Sequence, residues 1–568
     1  MTAFLPSARH TLCLVLSAVL AWAPPLALAQ ETAPPRLPAL GDAGADDLSV
    51  GDERRLGEQI MREARRDPAL LDDPVLLAYV QSLWRPLVQA ARARGDIDAS
   101  LERLFPWEVF LVQDRSVNAF ALPGGYVGVH LGLIAITNNR DQLASVLAHE
   151  LSHITQRHIA RSIGNARSAS LVGLAAILLG VLAASRSGNV DVANAAIMGG
   201  QGAAMQGQLN FSREMEREAD RIGFAVLGGG GFAGGGMAQM FERLQGNAAV
   251  SDSGAFPYLR THPLTVERIS EARNRMLLAG PAGTPHATLL HTLMQARARA
   301  LMDNKNAQAL QRMTSAATTS TATPGERVAA LYQAALAQVQ LGQGAAAEET
   351  TLQALRQAQS FAPREPEAER VLLLMQAEAR LATGDGAGAW RLLEAVAPPA
   401  ASHAPNTATG AAAAAAASHD DRGALTLRAQ AALKWHERDP RAAVGAVRAS
   451  TEALQTWLAE HSQDAHAWEL LAGTAEALGQ KLRSMRAGAE ARAALGDLSG
   501  AIDRLRAAQA MARGPNTSAA GQPDFIDASI IDTRLRQLLE ERRQIALEAR
   551  QRGGGGGGGG DDGRGGGR

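Results

Sequence analysis

The stretch His149-Glu150-Leu-Ser-His153 lies inside an apolar frame of Leu143, Val146, Leu147, Leu151 and Ile154. Those apolar residues recur at helical spacing, so the stretch is expected to form a helix with its apolar face buried. Two histidines four residues apart then share one helix face, about 6 Å apart along the axis. Imidazoles at that offset can grip one metal ion. Glu150 neighbours them on the same side. It is too close to be their third partner and well placed to take a proton from a water that the metal acidifies. Any fold for this chain must therefore bury a polar, chemistry-bearing helix and bring a further ligand to it.

Composition limits what that ligand can be. The one cysteine, Cys13, excludes a disulfide framework and a cysteine-based zinc site, so a metal here must be held by His and carboxylates. Lys+Arg 56 against Asp+Glu 57 leaves a net charge of −1 and no field for nucleic acid, which is not expected as a partner. Residues 214–223 read Glu214-Met-Glu216-Arg-Glu218-Ala-Asp220-Arg-Ile-Gly223, a charged helical segment. Physics alone leaves the third ligand open among Glu214, Glu216 and Glu218, each of which could equally pair with Arg213, Arg217 or Arg221 on a solvated face.

The chain begins with Arg9 and His10, an apolar run over 12–22 and Ala27-Leu28-Ala29, the pattern of a signal peptide covering 1–29 and cleaved after Ala29. Residues 30–49, rich in Pro, Gly, Ala and Asp, read as a flexible leader. Helical periodicity starts near residue 50, with Leu76, Leu77, Val80, Leu83 and Leu87 on one face. The segment 107–112 (WEVFLV) reads as a strand, 118–125 (NAFALPGG) as a turn-rich stretch and 126–131 as a second strand. A long helix is expected over 139–165, with His158 about 140° round it from His153 and so not a ligand. The run 171–184 is apolar but too short to span a bilayer; it reads as a buried or flap-like helix that could touch a membrane. Residues 228–236 are glycine-dense and read as a loop between helices.

A chain of 568 residues exceeds one domain. Beyond about 285 the texture becomes Ala-rich helix without strand signals. A small turn residue followed by small residues at offsets of 5 and 7 recurs at Gly342/Ala347/Ala354, Gly384/Ala389/Val396, Glu437/Ala442/Ala449 and Gly496/Ala501/Ala508. This reads as degenerate tetratricopeptide-like repeats. The expected division is a catalytic domain over 50–282 and a helical repeat domain over 283–550, with a low-complexity insertion at 397–424 and a disordered Gly-rich tail at 551–568. The fold class is mainly α: an α+β, helix-rich first domain with a small sheet, then α-helical repeats.

HExxH at 149–153, followed by ExxAD at 216–220, resembles the zinc peptidase family that includes the CAAX prenyl endopeptidases and the heat-shock membrane protease HtpX. The resemblance implies a zincin-type fold, one Zn2+ per chain, ligands His149, His153 and Glu216, Glu150 as the catalytic carboxylate, and Asp220 orienting a ligand histidine. NAFALPGG (118–125), HELSHITQRH (149–158), EREADRIG (216–223) and THPL (261–264) are similar to a periplasmic protease–chaperone branch of that family. That similarity implies a regulatory role for His262, which would occupy the open zinc position and hold the enzyme off. It also implies a periplasmic setting, misfolded or stalled outer-membrane proteins as substrates, and the barrel-assembly machinery as a partner of the repeats. The 124–131 strand would bind substrate by strand addition. The alternative expectation is a chaperone or assembly scaffold whose protease stays latent behind His262; an integral membrane protease would need more spans than this chain offers.

Overall fold

In a computed structural model, the described residues are 48–165, 212–250, 256–279, 287–316, 323–396, 422–513 and 525–553. The expected signal peptide, the expected leader before residue 48, the apolar run 171–184 and residues 397–421 and 554–568 lie outside them. Among the described residues no helix is long and apolar enough to cross a membrane.

The first part opens with α1 (Val50–Ala64), capped by Ser49, whose hydroxyl accepts from the Asp52 N–H. Leu48, within the expected leader 30–49, is buried. Next come β1 (Leu70–Leu71), α2 (Pro74–Arg94), α3 (Ala99–Leu104) and the strands β2 (Glu108–Val112), β3 (Ala119–Leu122) and β4 (Tyr126–His130). The strands form one sheet in the order β1-β2-β4-β3. β2 and β4 run parallel, while β3 pairs antiparallel with β4 through Phe120↔Gly128 and its neighbours. Pro123-Gly124-Gly125 closes the β3–β4 hairpin, both glycines at positive φ (79° and 94°), a conformation other residues rarely hold.

Two expectations change here. Residues 118–125 are not all turn: half of them form β3, an edge of the sheet. The 126–131 strand is paired on both sides, by β2 and β3, so it has no free edge for an added strand. Strand order depends on long-range pairing, which the local pattern does not encode.

After α4 (Leu131–Ile136) comes α5 (Arg140–Thr155), started by Asn139, whose side chain accepts from Gln142 N–H at 2.9 Å. The expected single helix over 139–165 is broken: Arg157 adopts a left-handed φ of 52°, and α6 (His158–Asn165) sets off in a new direction. Arg157 donates from Nε to the buried Glu53 of α1 at 3.0 Å and from Nη2 to Leu48 O, which fixes the break. Helices α7 (Arg213–Gly229), α8 (Gly235–Val250), α9 (Tyr258–Thr261) and α10 (Val266–Ala279) complete this part. α7 lies directly against α5. A Cβ on Gly223 would stand 3.2 Å from the Ala148 carbonyl and the His149 nitrogen, so a side chain there would push the two helices apart.

The second part is helical throughout its described residues: α11 (Leu289–Met302), α12 (Ala307–Ala316), α13 (Pro324–Gln340), α14 (Gly344–Gln359), α15 (Pro366–Thr383), α16 (Gly386–Val396), α17 (Arg422–Arg438), α18 (Pro440–Glu460), α19 (Ala465–Ala477), α20 (Lys481–Ala494), α21 (Leu498–Ala512) and α22 (Phe525–Gly553). Gly342, Gly384 and Gly496 sit at helix–helix turns with positive φ, and Ala347, Ala354, Ala389, Ala501 and Ala508 are buried between helices. The third register is off by one. Asp439-Pro440 makes that turn, and the buried small residues are Ala443 and Ser450 while Ala442 and Ala449 are exposed. A further hairpin, α19–α20, turns at Gly479 and was not expected from the spacing.

Two boundaries also move. α17 starts inside the expected 397–424 insertion because Arg422 is anchored, donating to Asp464 (Nε to Oδ2 2.6 Å, Nη2 to Oδ1 2.7 Å) and to Asp72 of the first part (Nη2 to Oδ2 2.8 Å). α22 runs on to Gly553, three residues into the expected tail 551–568; Gln551 and Arg552 are good helix formers.

The two parts meet along α2. Arg297 of α11 forks onto Asp73 (Nε to Oδ1 and Nη2 to Oδ2, both 2.8 Å) and also reaches Tyr332 Oη at 2.8 Å and Glu378 Oε1 at 2.9 Å. His291 of α11 donates from Nε2 to Thr137 O at 3.0 Å, which leaves Nδ1 to accept from the Tyr79 hydroxyl at 2.6 Å.

Candidate active site

α5 supplies His149, Glu150 and His153, all fully buried, and α7 supplies Glu216 and Asp220 from the facing helix. The residue following α9, His262, closes the cluster from a third direction. His149, His153, Glu216 and His262 each offer one ligand atom, and these atoms all lie within 4.8 Å of one another. The two α5 histidines bring their Nε2 atoms within 3.0 Å. Glu216 faces them with Oε2 at 3.4 Å from His149 Nε2 and Oε1 at 3.5 Å from His153 Nε2. All four residues are buried, which suits a bound cation because exposed acidic groups gather without one.

The three candidate third ligands now separate. Glu214 is exposed, Glu216 points into the cluster, and Glu218 is held elsewhere by His158 and Arg161, each at 3.0 Å. Asp220 stands behind His149, its Oδ1 3.0 Å from His149 Nδ1. Glu150 has one oxygen committed, Oε2 accepting from Ala121 N–H of the edge strand β3 at 3.0 Å. Its Oε1 is buried with no hydrogen bond and points toward His262 Nε2 at 3.5 Å.

The charges are strongly coupled. Burial disfavours a charged His149, but Asp220 and Glu216 outweigh it and hold the imidazole up at about 9. Burial, with His149 beside it, pushes His153 well below the ordinary histidine range. Glu216 resists its own burial because His262 and His149 hold its carboxyl far below the usual carboxylate range. Burial pushes the Glu150 carboxyl up. A carboxylate held far below its usual range beside a carboxyl pushed above its own makes this cluster a candidate functional site.

Three contributors were not foreseen. Arg268 of α10 forks onto Asp220 (Nε to Oδ2 2.6 Å, Nη2 to Oδ1 2.8 Å), ion-pairs with Glu216 Oε2 at 2.8 Å and donates from Nη1 to Pro263 O at 2.9 Å. Nothing in its spacing separates it from Arg260 or Arg273. Tyr258 is buried with its ring 4.7 Å from that of His262, and its N–H donates to Val117 O at 3.3 Å, pinning α9 beside β3. His158, set aside on helical geometry, has its Nδ1 2.9 Å from His153 Nδ1 because the helix breaks before it.

Residues 79–276, which carry this cluster, match the model of peptidase family M48. Among relatives, the chain is 38% identical over 242 residues to the beta-barrel assembly-enhancing protease of Escherichia coli (strain K12), covering 42% of this chain and 47% of that one. It is 34% identical over 239 residues to the protein of the same name from Yersinia pestis, covering 42% and 47%. It is 32% identical over 197 residues to the mitochondrial metalloendopeptidase OMA1 of Saccharomyces cerevisiae, covering 34% and 53%. The matches thus span about half the length of these relatives.

Proposed function

We propose that this chain is a zinc-dependent endopeptidase held in a latent state by His262, with a helical repeat domain that presents substrates to it. The observation that carries the reading is the convergence of His149, His153 and Glu216 on one point, with the unpartnered Oε1 of Glu150 beside it. The donor set, two imidazoles and a carboxylate in a buried pocket, suits Zn2+ and leaves a fourth position for chemistry. Zinc held there would polarise the scissile carbonyl and acidify the attacking water.

The remaining steps belong to the chain. Glu150 takes the proton from the attacking water on Oε1 and passes it to the leaving amine. Ala121 N–H fixes the other carboxylate oxygen, so Glu150 cannot swing away. Because Glu150 bonds to the edge strand, a peptide added alongside β3 would lie next to the catalytic carboxylate. Asp220, gripped by Arg268, keeps His149 oriented.

His262 sits where a fourth ligand would, 2.9 Å from Glu216 Oε1 and 3.5 Å from Glu150 Oε1. This favours a plugged resting state and keeps open a second reading, a chaperone or scaffold in which proteolysis is rarely released. The relatives named for assembly of β-barrels support a periplasmic role in quality control of outer-membrane proteins, with misfolded barrels as substrates and the barrel-assembly machinery as partner of the repeats. A role at the membrane for 171–184 remains part of the proposal; that run lies outside the described residues.

The test is metal analysis of the purified chain with a Glu150→Gln comparison. About one zinc per chain is expected for both proteins, with cleavage of an unfolded polypeptide lost only in the variant. If wild type and Glu150→Gln are equally inert, and stay so when His262→Ala is added, the scaffold reading replaces the enzyme.

A further inference from the structure

His149 and His153 offer Nε2 to the centre, so each must carry its proton on Nδ1 to serve as a neutral ligand, and each Nδ1–H needs an acceptor. For His149 that side faces Asp220, at 3.0 Å. For His153, the group facing that side among the described residues is another imidazole, His158 Nδ1 at 2.9 Å. Two nitrogens at that distance must be one donor and one acceptor. If His153 Nδ1 donates, His158 Nδ1 is the acceptor and its proton sits on Nε2. Nε2 lies 3.0 Å from Glu218 Oε2, and the same oxygen accepts from Arg161 Nη1 at 3.0 Å. Every tautomer along the row is then fixed.

We infer that His158, Glu218 and Arg161 form a positioning relay that orients His153 and fixes its tautomer, the counterpart for the second histidine of what Asp220 and Arg268 do for the first. The inference rests on the reading of His153 as a metal ligand and adds residues that the ligand motif does not contain. The geometry supports it in three ways. His158 is fully buried and its ring meets that of His153 edge-on at 4.9 Å between centroids. It reaches that place only because the backbone breaks at Arg157, where φ is 52°; a continuous helix would have carried it round to another face. Glu218, two residues beyond Glu216 on α7, puts the relay and the third ligand on one rigid element, so the break on one helix and the register of another converge on His153.

The experiment measures zinc affinity of the full chain by competition with a chromophoric chelator, and the visible absorption of the Co2+-loaded protein as a second readout of ligand geometry. His158→Phe keeps an aromatic ring but removes the acceptor. It is expected to weaken zinc binding roughly 10- to 100-fold and to shift the Co2+ bands. His158→Gln, whose amide oxygen can accept from His153 Nδ1–H, is expected to recover most of that loss. Glu218→Ala should weaken zinc in the same direction by less, and it decides the matter alone if His158→Phe does not fold. Tight zinc binding in wild type with equal affinity and unchanged Co2+ bands in His158→Phe and Glu218→Ala would overturn the relay while leaving the metal centre standing. A wild-type chain that takes up no zinc would overturn both.

Discussion

His262 Nδ1 lies 2.9 Å from Glu216 Oε1 while its Nε2 lies 3.5 Å from Glu150 Oε1, so one imidazole lies against both the proposed third ligand and the proposed catalytic carboxylate. In the proposed peptidase reaction, a substrate carbonyl and the attacking water would need that same volume. His262→Ala is therefore expected to raise peptide cleavage on the order of tenfold, the effect of removing about 1.4 kcal/mol of plugging contact. Initial rates on an unfolded polypeptide, at matched zinc content, check this. Unchanged or lower rates would mean that His262 serves the chemistry instead of blocking it.

Arg268 neutralises two buried carboxylates at once, Asp220 through a fork and Glu216 through Nη1. Removing one partner of a buried pair leaves the other charge stranded, at a cost of about 3–5 kcal/mol. Arg268→Gln should lose stability of that order in urea unfolding and should also lose zinc on dialysis. Arg268→Lys should rescue little, because an ammonium cannot span Asp220 with two parallel bonds. Full zinc retention in either variant would show that Asp220 and Glu216 hold their positions without it.

How far the site could be read from the chain depends on the range of the interaction. The HExxH pair was legible because a four-residue offset on a helix is local geometry, and the apolar frame of Leu143, Val146, Leu147, Leu151 and Ile154 is buried as its spacing required. The choice of Glu216 over Glu214 and Glu218 was not legible from charge pattern, since all three share one short helical stretch and only the docking of α7 against α5 at Gly223 separates them. The placement of His158 against His153 was not legible because helical arithmetic assumes an unbroken helix, and the left-handed residue here is Arg157, not a glycine that would have signalled the break. Arg268 carries no local signature at all. The role of β3 as sheet edge was hidden for the same reason: a strand beginning two residues after Val117 and ending at a Pro-Gly-Gly turn looks like turn until its partner is known.

Asp73 does two jobs at the junction between the parts: its Oδ1 accepts from Leu76 N–H at 2.8 Å, capping α2, and its carboxylate receives the Arg297 fork. Asp73→Ala should cost about 3–5 kcal/mol, most of it from the buried guanidinium left with Glu378 and Tyr332 as its remaining partners. The exposed pair Arg92–Glu102, at 2.7 Å, is the control; a double-mutant cycle there should return under about 1 kcal/mol. Denaturant unfolding of the two sets measures the contrast. A loss at Asp73 no larger than that at Glu102 would show that the two parts do not depend on this ion pair to stay docked.

His291 makes docking of the parts sensitive to acid. Burial, helped by the nearby charge of Arg299, pushes its pKa down from 6.5 to about 4, against the hydrogen bond to Thr137 O, which favours the charged ring. Its folded value lies below its unfolded one, so between these two pH values the unfolded chain binds a proton that the folded chain refuses. Stability from this group is therefore complete above pH 6.5 and declines as pH falls through the window to about 4. A depression of that size, at 1.36 kcal/mol per pH unit, amounts to on the order of 3 kcal/mol. His291→Gln has no proton to gain there, so its stability should fall less steeply than that of wild type over the same interval, even though the variant starts lower at neutral pH. Thermal or urea unfolding at half-unit steps from pH 7 to 4 gives both slopes, and the difference between them isolates His291 from the carboxylates that titrate alongside it. Parallel slopes would mean that the ring takes up its proton without leaving the junction.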